Sequence, residues 1–169
     1  VTNSSSHAQE SYDLLGRLLS STNAQGQTTT YTYSDATTPA NLPPTPGSLL
    51  SVTACQGRAL KLSYDPQGRL SSLTDPAGGL TSYAYDEASA ITIGSNPPAS
   101  NLTSVTYPDG AKRIYHYNEP THTSNQNLPN ALTGLTDENG TRLAHYKYTY
   151  PGKAISTEHV GGAGKYSVS

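Results

Sequence analysis

The chain contains no methionine, tryptophan or phenylalanine, and only one cysteine, Cys55, in 169 residues. A lone cysteine excludes an internal disulfide and a cysteine-based metal motif, so the redox compartment stays open. Apolar residues at helical spacing are also missing, which argues against long helices. Hydrophobic residues make up only 33% of the chain and charged residues 13%. The sequence therefore lacks the composition of a helical enzyme core.

Charge and long apolar runs are scarce as well. A net charge of -2 provides no electrostatic surface for nucleic acid or for an acidic membrane. No run approaches the roughly 18 apolar residues that a membrane span needs. Residues 1–10 are polar and begin without Met, so we expect a piece of a longer protein with no signal peptide. We predict no nucleic-acid partner and no membrane span.

Tyrosine supplies all of the aromatic residues, 13 in number, among abundant Ser, Thr, Gly and Pro. Disordered chains are poor in aromatic residues and usually carry a high net charge. This chain is rich in tyrosine and has a low net charge. Thr and Tyr favour the pleated surface of a sheet. The composition predicts a polar, all-β chain.

Two intervals recur along the sequence. Glycine is followed seven residues later by tyrosine at Gly26/Tyr33, Gly57/Tyr64, Gly78/Tyr85 and Gly110/Tyr117. Tyrosine is followed four residues later by glycine and then a base at Tyr12/Gly16/Arg17, Tyr64/Gly68/Arg69 and Tyr148/Gly152/Lys153. A fixed period indicates one repeated supersecondary unit. Repeats of this kind build surfaces, shells or rods more often than a single catalytic pocket.

Each unit reads as strand, turn and strand. Outgoing arms at 17–22, 69–74, 102–107 and 132–136 lead through glycine-ended turns to return arms at 27–33, 79–85, 111–117 and 141–148. Asp, Asn, Pro and Gly are the residues that close hairpins. We predict one segment, 1–169, folded as an antiparallel, twisted sheet of about ten strands. Its hairpin repeats are 11–35, 48–86, 101–118 and 131–160, separated by proline-bearing loops 36–47, 87–100 and 119–130 that cross over the sheet or close its edge.

Tyrosines also occur two residues apart within the return arms, as at Tyr31 and Tyr33. Side chains alternate across a strand, so both members of a pair face the same side of the sheet. We expect such pairs on successive hairpins to stack as cross-strand aromatic ladders.

Tyr12-Asp13-x-x-Gly16-Arg17-Leu18 and Tyr64-Asp65-x-x-Gly68-Arg69-Leu70 are two copies of one pattern. On these residues the chain resembles the Rhs-repeat, or YD-repeat, family, whose central signature is Tyr-Asp-x-x-Gly-Arg-Leu. Asp75-Pro76-x-Gly78 with Tyr83-x-Tyr85-Asp86 matches the second half of the unit. The stretches YPDGAKRIYHYNEP from Tyr107, LTGLTDENGTRLAHYKY and ISTEHVGGA also look like the body of bacterial Rhs proteins. The resemblance covers most of residues 11–164.

The resemblance implies a β-sheet wound into a hollow shell around a toxic domain, as in bacterial polymorphic toxins, some delivered by type VI secretion, and in insecticidal toxin complexes. This chain would be a non-enzymatic part of the wall. Its partners would be the remaining repeats and the enclosed toxin domain, with edge-to-edge self-association of the isolated piece. The location would be bacterial and secreted, or delivered by a secretion system, with the cell envelope also possible.

The repeat departs from the family pattern near its end. Thr149 stands where Asp is expected, Lys153 replaces Arg, and Lys147 falls seven residues after Gly140. We predict a bulge or register change within 141–149. The family's carboxy-terminal Asp-Pro-x-Gly-Leu boundary and aspartyl self-cleavage site are not seen, and Asp75-Pro76 does not count because Ala77-Gly78 follows it inside a repeat.

We assign no catalytic residue, no metal site and no cofactor. The residues expected to carry the repeat are Tyr12, Asp13, Gly16, Arg17, Gly26, Tyr33, Gly57, Tyr64, Asp65, Gly68, Arg69, Gly78, Tyr85, Gly110, Tyr117, Gly140, Tyr148 and Gly152.

Other polar residues have a structural and a functional interpretation. Asp13, Asp65 and Asp86 either cap the next turn or collect calcium. Arg17 and Arg69 either bind repeat carboxylates or carbonyls of the neighbouring hairpin, or contact a cargo. The five histidines, expected to be structural, are His7, His116, His122, His145 and His159.

Two functions other than a shell wall stay open. Exposed stacked tyrosines would suit a cell-surface carbohydrate-binding or adhesion module. A hydrolase would need an Asp and a His converging in a pocket, which no motif predicts.

Overall fold

The computed structural model describes residues 2–3, 8–39, 46–88, 90 and 100–168. These residues contain fourteen β-strands and no α-helix. The chain divides into two compact units, Val1–Thr81 and Ser82–Ser169, and each is described by itself. The prediction of an all-β fold built from successive antiparallel hairpins is confirmed.

In the first unit, each strand pairs antiparallel with the next along the chain. The strands are β1 (Thr2–Asn3), β2 (Ala8–Tyr12), β3 (Leu18–Thr22), β4 (Thr28–Tyr33), β5 (Leu49–Thr53), β6 (Ala59–Tyr64) and β7 (Leu70–Thr74). Pairing of neighbours in chain order is what short hairpin turns impose, because each turn returns the chain beside the strand it has just left.

The second unit follows the same plan. Its strands are β8 (Leu80–Tyr85), which begins in the last two residues of the first unit, β9 (Leu102–Thr106), β10 (Lys112–Tyr117), β11 (Leu132–Thr136), β12 (Arg142–Thr149), β13 (Lys153–His159) and β14 (Tyr166–Ser167). The predicted arms coincide with these strands to within a residue or two. The expected number of about ten strands was too low, because the described residues form fourteen; two of the additional strands, β1 and β14, form without any repeat signature.

A β-bulge accompanies every repeat tyrosine. In the pairing of β10 with β11, His116 lies opposite Gly134 and Tyr117 lies opposite Leu132, so Thr133 is an extra residue. The corresponding extra residues elsewhere are Leu19, Leu50, Ser71, Thr103 and Ile155. A bulge bends the strand that contains it and re-aims the neighbouring side chains. A bulge therefore recurs in every repeat, and the sequence pattern did not predict it.

The bulge predicted within 141–149 is confirmed. Arg142 lies opposite Thr136 and Ala144 lies opposite Leu135, which leaves Leu143 as the extra residue of β12. This insertion explains why Tyr148 follows Gly140 by one residue more than the usual interval.

The predicted tyrosine ladders have the wrong cross-strand partners. Tyr33 lies opposite Leu49, and Tyr31 lies opposite Val52. The same aliphatic pairing holds at Tyr12/Leu18, Tyr64/Leu70, Tyr85/Leu102 and Tyr117/Leu132. The reason is topological: return arms carry the tyrosines, outgoing arms carry the aliphatic residues, and the two kinds of arm alternate in the sheet.

The described residues bury few apolar side chains, namely Ala90, Val105 and Ala144. The most completely buried side chains are hydroxylic: Ser34, Thr103, Ser104, Thr123 and Thr133. Burying a hydroxyl costs free energy unless it is hydrogen-bonded. The partners of these hydroxyls therefore show where each unit is most tightly organised.

The loop 118–131 crosses the sheet, as predicted for the proline-bearing loops. It leaves β10, passes β11 and meets β12, where the Tyr148 N–H donates to His122 O at 2.7 Å. The interior of the predicted loop 36–47 at residues 40–45, and residues 89 and 91–99 of the predicted loop 87–100, lie outside the described residues.

Candidate functional site

The repeat turn is organised around an aspartate. Asp65 Oδ1 accepts hydrogen bonds from the N–H groups of Gln67 at 3.0 Å and Arg69 at 2.9 Å, while Asp65 Oδ2 accepts from Arg69 Nε at 2.7 Å. The Gly68 N–H donates to Asp65 O at 2.9 Å. Gly68 has a φ of 78°, which a residue with a Cβ adopts only at a cost in free energy. The signature Tyr-Asp-x-x-Gly-Arg thus describes one closed turn.

Asp13 repeats this arrangement with Leu15, Gly16 and Arg17. Asn23, Asp75 and Asp137 accept the same two backbone N–H groups without an arginine. All eight signature glycines have positive φ: Gly16, Gly26, Gly57, Gly68, Gly78, Gly110, Gly140 and Gly152. The carboxylate and amide oxygens are therefore occupied by their own turns.

The two signature arginines bind within their own turns. Arg17 and Arg69 pair with Asp13 at 2.6 Å and with Asp65 at 2.7 Å, so each binds the repeat carboxylate of its own turn. Arg17 also lies over the ring of Tyr33, 5.0 Å from its centroid. The backbone and side-chain hydrogen bonds from Arg17 lower the pKa of Asp13. Burial opposes the same effect at Asp65, but the hydrogen bonds from Arg69 outweigh it and the pKa is lowered there too.

The repeat tyrosines donate to the backbone at the bulges. Tyr64 Oη donates to Leu49 O at 2.7 Å, Tyr117 Oη to Leu102 O at 3.0 Å, and Tyr148 Oη to Leu132 O at 2.9 Å. Each acceptor is the residue directly before the extra residue of a bulge. Burial raises the pKa of all three phenols. The tyrosine therefore joins a return arm to the irregular end of its neighbour.

Replacing Tyr117 by phenylalanine should lower the free energy of unfolding by about 1 kcal/mol, because the Leu102 carbonyl loses its donor in a half-buried place. The matched control is Tyr12→Phe: Tyr12 is 44% exposed and its hydroxyl donates to Glu10, so that change should be close to neutral. Urea denaturation followed by circular dichroism measures both. Equal losses in the two variants would contradict the role of the bulge carbonyl.

A partly buried polar cluster that the sequence did not predict lies where the chain leaves β8. Glu87 Oε2 accepts from Thr103 Oγ1 at 2.9 Å and from Ser104 Oγ at 2.6 Å, and Glu87 Oε1 pairs with Lys112 Nζ at 2.9 Å. Thr103 is the extra residue of its bulge. Burial raises the pKa of Glu87, but these three hydrogen bonds outweigh it and the pKa is lowered. The carboxylate fastens the start of the loop to β9 and β10.

The loop after β10 has an equivalent cluster. Glu119 Oε2 pairs with Arg142 at 2.5 Å, and Thr133, the extra residue of its bulge, is fully buried and donates to His116 O at 3.1 Å. Burial raises the pKa of Glu119, but hydrogen bonds from Arg142 and Thr133 outweigh it and the net shift is downward. The sequence contained one signal for these two clusters: Asp86-Glu87 recurs as Asn118-Glu119, and each pair is followed by a basic residue, Lys112 or Arg142.

The residues directly before the two glutamates hold the two ends of each loop together. Asp86 and Asn118 have φ of 55° and 56°. Asp86 Oδ1 accepts from the Asn101 N–H at 2.9 Å, and Asn118 Oδ1 accepts from the Leu128 N–H at 2.7 Å. Asp86 therefore helps to close the base of the loop that follows β8.

Gly134 leaves space for Arg142, which is the larger of the two basic side chains that pair with the glutamates. A Cβ on Gly134 would overlap the Arg142 guanidinium. The equivalent residue of β9 is Ser104, whose hydroxyl binds Glu87 where the base is the slimmer Lys112. The residue on β9 or β11 is therefore matched to the size of the basic side chain beside it: serine accompanies Lys112, and glycine accompanies Arg142.

Three of the five histidines come together beside Arg142. The rings of His122 and His145 stack at 4.9 Å between centroids, 10° from parallel, and His116 Nε2 lies 2.8 Å from Thr136 Oγ1. Burial is the first cause that lowers the pKa of His116 and of His122. His159 is exposed on β13, and His7 lies outside the described residues.

Two cavities lie in the described parts of the chain. One of about 300 Å³ is lined by polar residues of the first unit and by Cys55, which is exposed. The other, about 370 Å³, is lined by residues 128–131, Tyr148 and Gly152 of the second unit. Among the described residues, no group of three or more His, Cys, Asp or Glu could hold a metal ion. The described residues also include no helix long and apolar enough to cross a membrane.

Comparison with known families finds one match. The model described as RHS Repeat matches residues 12–38, 47–80 and 64–93. A search of curated proteins finds no match.

Solved structures share the fold. The "Crystal Structure of TcdB2-TccC3-Cdc42" matches with a TM-score of 0.56 and 16% identity, over 90% of this chain and 7% of the other. The "Crystal Structure of TcdB2-TccC3" matches with a TM-score of 0.55, the same identity and the same coverage. At this identity the likeness shows the fold alone, and the chain spans about 7% of the length of the chains it matches.

Proposed function

We propose that the chain, which matches the RHS repeat model at residues 12–38 and 47–93, is a wall segment of a larger protein shell that encloses a toxin domain. In this proposal the segment is not catalytic. It contributes containment, and the toxic chemistry belongs to another part of the parent protein.

The observation that supports the proposal is the joint between hairpins. Each repeat tyrosine lies at a bulge, and three of these tyrosines donate their hydroxyl to a backbone carbonyl beside a bulge. The strands pair in chain order within each unit. Such a sheet grows by adding hairpins and needs no deep apolar core, so it can extend as a wall. The two similar structures contain TcdB2-TccC3, and this chain matches about 7% of the length of the matched chain, which is consistent with a segment of a much larger protein.

The carbohydrate-binding alternative is less well supported. A lectin presents the faces of exposed aromatic rings to sugars, whereas Tyr64, Tyr117 and Tyr148 are half buried and donate their hydroxyls to backbone carbonyls. Quenching of tyrosine fluorescence across a glycan panel would favour a lectin, and no response would favour the wall.

The proposed partners are the neighbouring repeats of the parent chain and the enclosed toxin domain. The proposed location is bacterial and secreted, or delivered by a secretion system. No nucleic acid enters the proposal.

Limited proteolysis of the parent protein tests containment. If the repeats form a closed wall, a part of the chain outside the repeats should resist trypsin in the native protein and be digested after the wall is opened by denaturant. A triple variant, Tyr64→Phe with Tyr117→Phe and Tyr148→Phe, should lower the denaturant concentration at which protection is lost, whereas Tyr12→Phe should leave it unchanged. Digestion of every non-repeat part at the native rate of an exposed linker would contradict the proposal.

The edge strand β14 should drive self-association of the isolated piece, since unpaired strand edges recruit other chains. Tyr166→Lys places a charge in this strand and should lower the association constant about tenfold. Tyr150→Lys is the control, because Tyr150 is 75% exposed against 72% for Tyr166 but lies in a turn. Sedimentation equilibrium measures both, and identical weakening by the two variants would exclude the edge.

A further inference from the structure

We propose that the loop 118–131 is a pH-sensitive latch, closed on β12 at neutral pH and released in mild acid by protonation of His116 and His122, which form a cluster with His145. The inference concerns only the second unit and does not depend on the proposed function.

The closed latch is held by two hydrogen bonds to the backbone and by one ring contact. The Tyr148 N–H donates to His122 O at 2.7 Å, and Ser124 Oγ donates to Tyr148 O at 2.9 Å. The His122 ring stacks on His145 of β12. The His122 side chain and its own carbonyl therefore attach the loop to the same strand, and a change at the ring is transmitted directly to the Tyr148 amide.

A permanent cation lies between the histidines. His116 on β10 and His145 on β12 are both paired with Gly134 in the sheet. The Arg142 guanidinium occupies the space that a side chain at Gly134 would fill. His145 Nδ1 is buried and has no hydrogen-bond partner among the described residues. The three imidazoles therefore share their surroundings with a fixed positive charge.

The carboxylates around the three histidines are already paired with basic side chains. From the loop, Glu119 Oε2 binds Arg142 and lies 3.8 Å from His122 Nδ1. From β13, Glu158 lies opposite His145 and pairs with Lys147 at 3.9 Å and Lys165 at 3.6 Å. β11 contributes no titratable side chain. Each proton taken up by the cluster therefore adds an uncompensated positive charge beside Arg142 and Lys147.

The direction of the pH effect follows from burial and from these cations. Burial first, then Arg142 and His145, lower the pKa of His116 from 6.5, and Glu119 opposes them. Burial lowers the pKa of His122 as well, with Glu119 opposing and His145, Arg142 and Lys147 adding to the decrease. Both groups bind protons more weakly in the folded chain, so their contribution to stability is present above the unfolded pKa. It is lost as the pH falls through the folded values.

The chain contains its own control. In the loop after β8, the Tyr117 N–H donates to Ala90 O at 2.9 Å, the same backbone bond as that from Tyr148 to His122. Alanine stands there in place of the histidine, and residues 86–101 include no histidine. The two amides report on equivalent joints in which the loop residue that accepts the hydrogen bond is alanine in one and histidine in the other.

Hydrogen exchange of the whole 169-residue chain tests the latch. Between pH 7.5 and 5.5, with rates corrected for intrinsic exchange, protection of the Tyr148 amide should fall by about tenfold relative to the Tyr117 amide, because protonation favours the released loop. Equal change at both amides, or none at either, would overturn the proposal.

Variants assign the effect to the cluster. His122→Ala copies the residue at 90 and should abolish the pH dependence at Tyr148, and His145→Gln should reduce it. His159→Gln, outside the cluster, should behave as wild type. If neither cluster variant folds, NMR titration of the wild-type rings decides: His116 and His122 titrating below 6.5 supports the latch, and titration at or above that value refutes it.

Discussion

Replacing Arg142 by methionine is expected to lower the free energy of unfolding of the second unit by about 2 kcal/mol. Methionine keeps most of the side-chain volume but removes the charge, so Glu119 is left half buried without its ion-pair partner. Breaking a fully buried pair costs about 3–5 kcal/mol. Here the side chains of Arg142 and Glu119 keep 22% and 27% of their exposure, so solvent screening reduces the cost.

Two further variants make this expectation specific. Lys112→Met breaks the equivalent pair, whose lysine is 40% exposed, and should cost about 1 kcal/mol or less. Adding Glu119→Gln to Arg142→Met removes the stranded charge and should recover part of the loss. Urea denaturation at pH 7.5 measures all three. If the lysine and arginine variants lose equal stability, the greater burial of the Glu119 pair has no energetic consequence and the explanation is wrong.

Gly134→Ala is expected to cost a similar amount, about 2 kcal/mol, although it adds only one methyl group. The new Cβ would occupy the position of the Arg142 guanidinium, so the arginine must leave Glu119 or the strands must separate. Overpacking of this kind typically costs about 1–3 kcal/mol. The loss should therefore come from the displaced ion pair and not from the backbone of β11.

The matched control is Ser104→Ala, at the equivalent position of β9, where a Cβ is already accommodated. It removes one hydrogen bond to Glu87 and should cost about 1 kcal/mol. The double variant Gly134→Ala with Arg142→Met should be less destabilised than the sum of its single changes, because both act on one contact. Strict additivity would show that Gly134→Ala acts elsewhere.

The hairpins were predictable because their determinants are local. Asp65, Gly68 and Arg69 lie within five residues of one another and satisfy each other inside one turn. A glycine with positive φ and an aspartate that accepts two backbone N–H groups can be recognised without knowing the rest of the fold. The arms on either side followed from β-propensity and from the regular spacing.

The tyrosine ladders were wrong for the opposite reason. The faces of a strand follow from its sequence, but the residue across from Tyr33 depends on which arm is its neighbour and on the extra residue Leu50. A bulge shifts the register by one residue, and a one-residue shift changes every subsequent partner. Nothing within the return arm itself specifies that shift.

The clusters under the loops were not predicted because their members are far apart in sequence. Glu119 meets Arg142, and His122 meets His145, each across 23 residues. Within the described chain, these contacts exist because the loop crosses β11 and because Gly134 leaves a gap for a guanidinium. The spacing of the glutamates and bases was visible, but their meeting required the register of β9 to β12.

Composition and spacing alone thus established an all-β chain of repeated hairpins with turn residues in the right roles, since those properties depend on contacts within a few residues. The partners of the tyrosines, the bulge at each joint and the assembly of three histidines around Arg142 were decided by the pairing of strands and the path of one loop. Such contacts depend on register and space, which no short stretch of sequence contains.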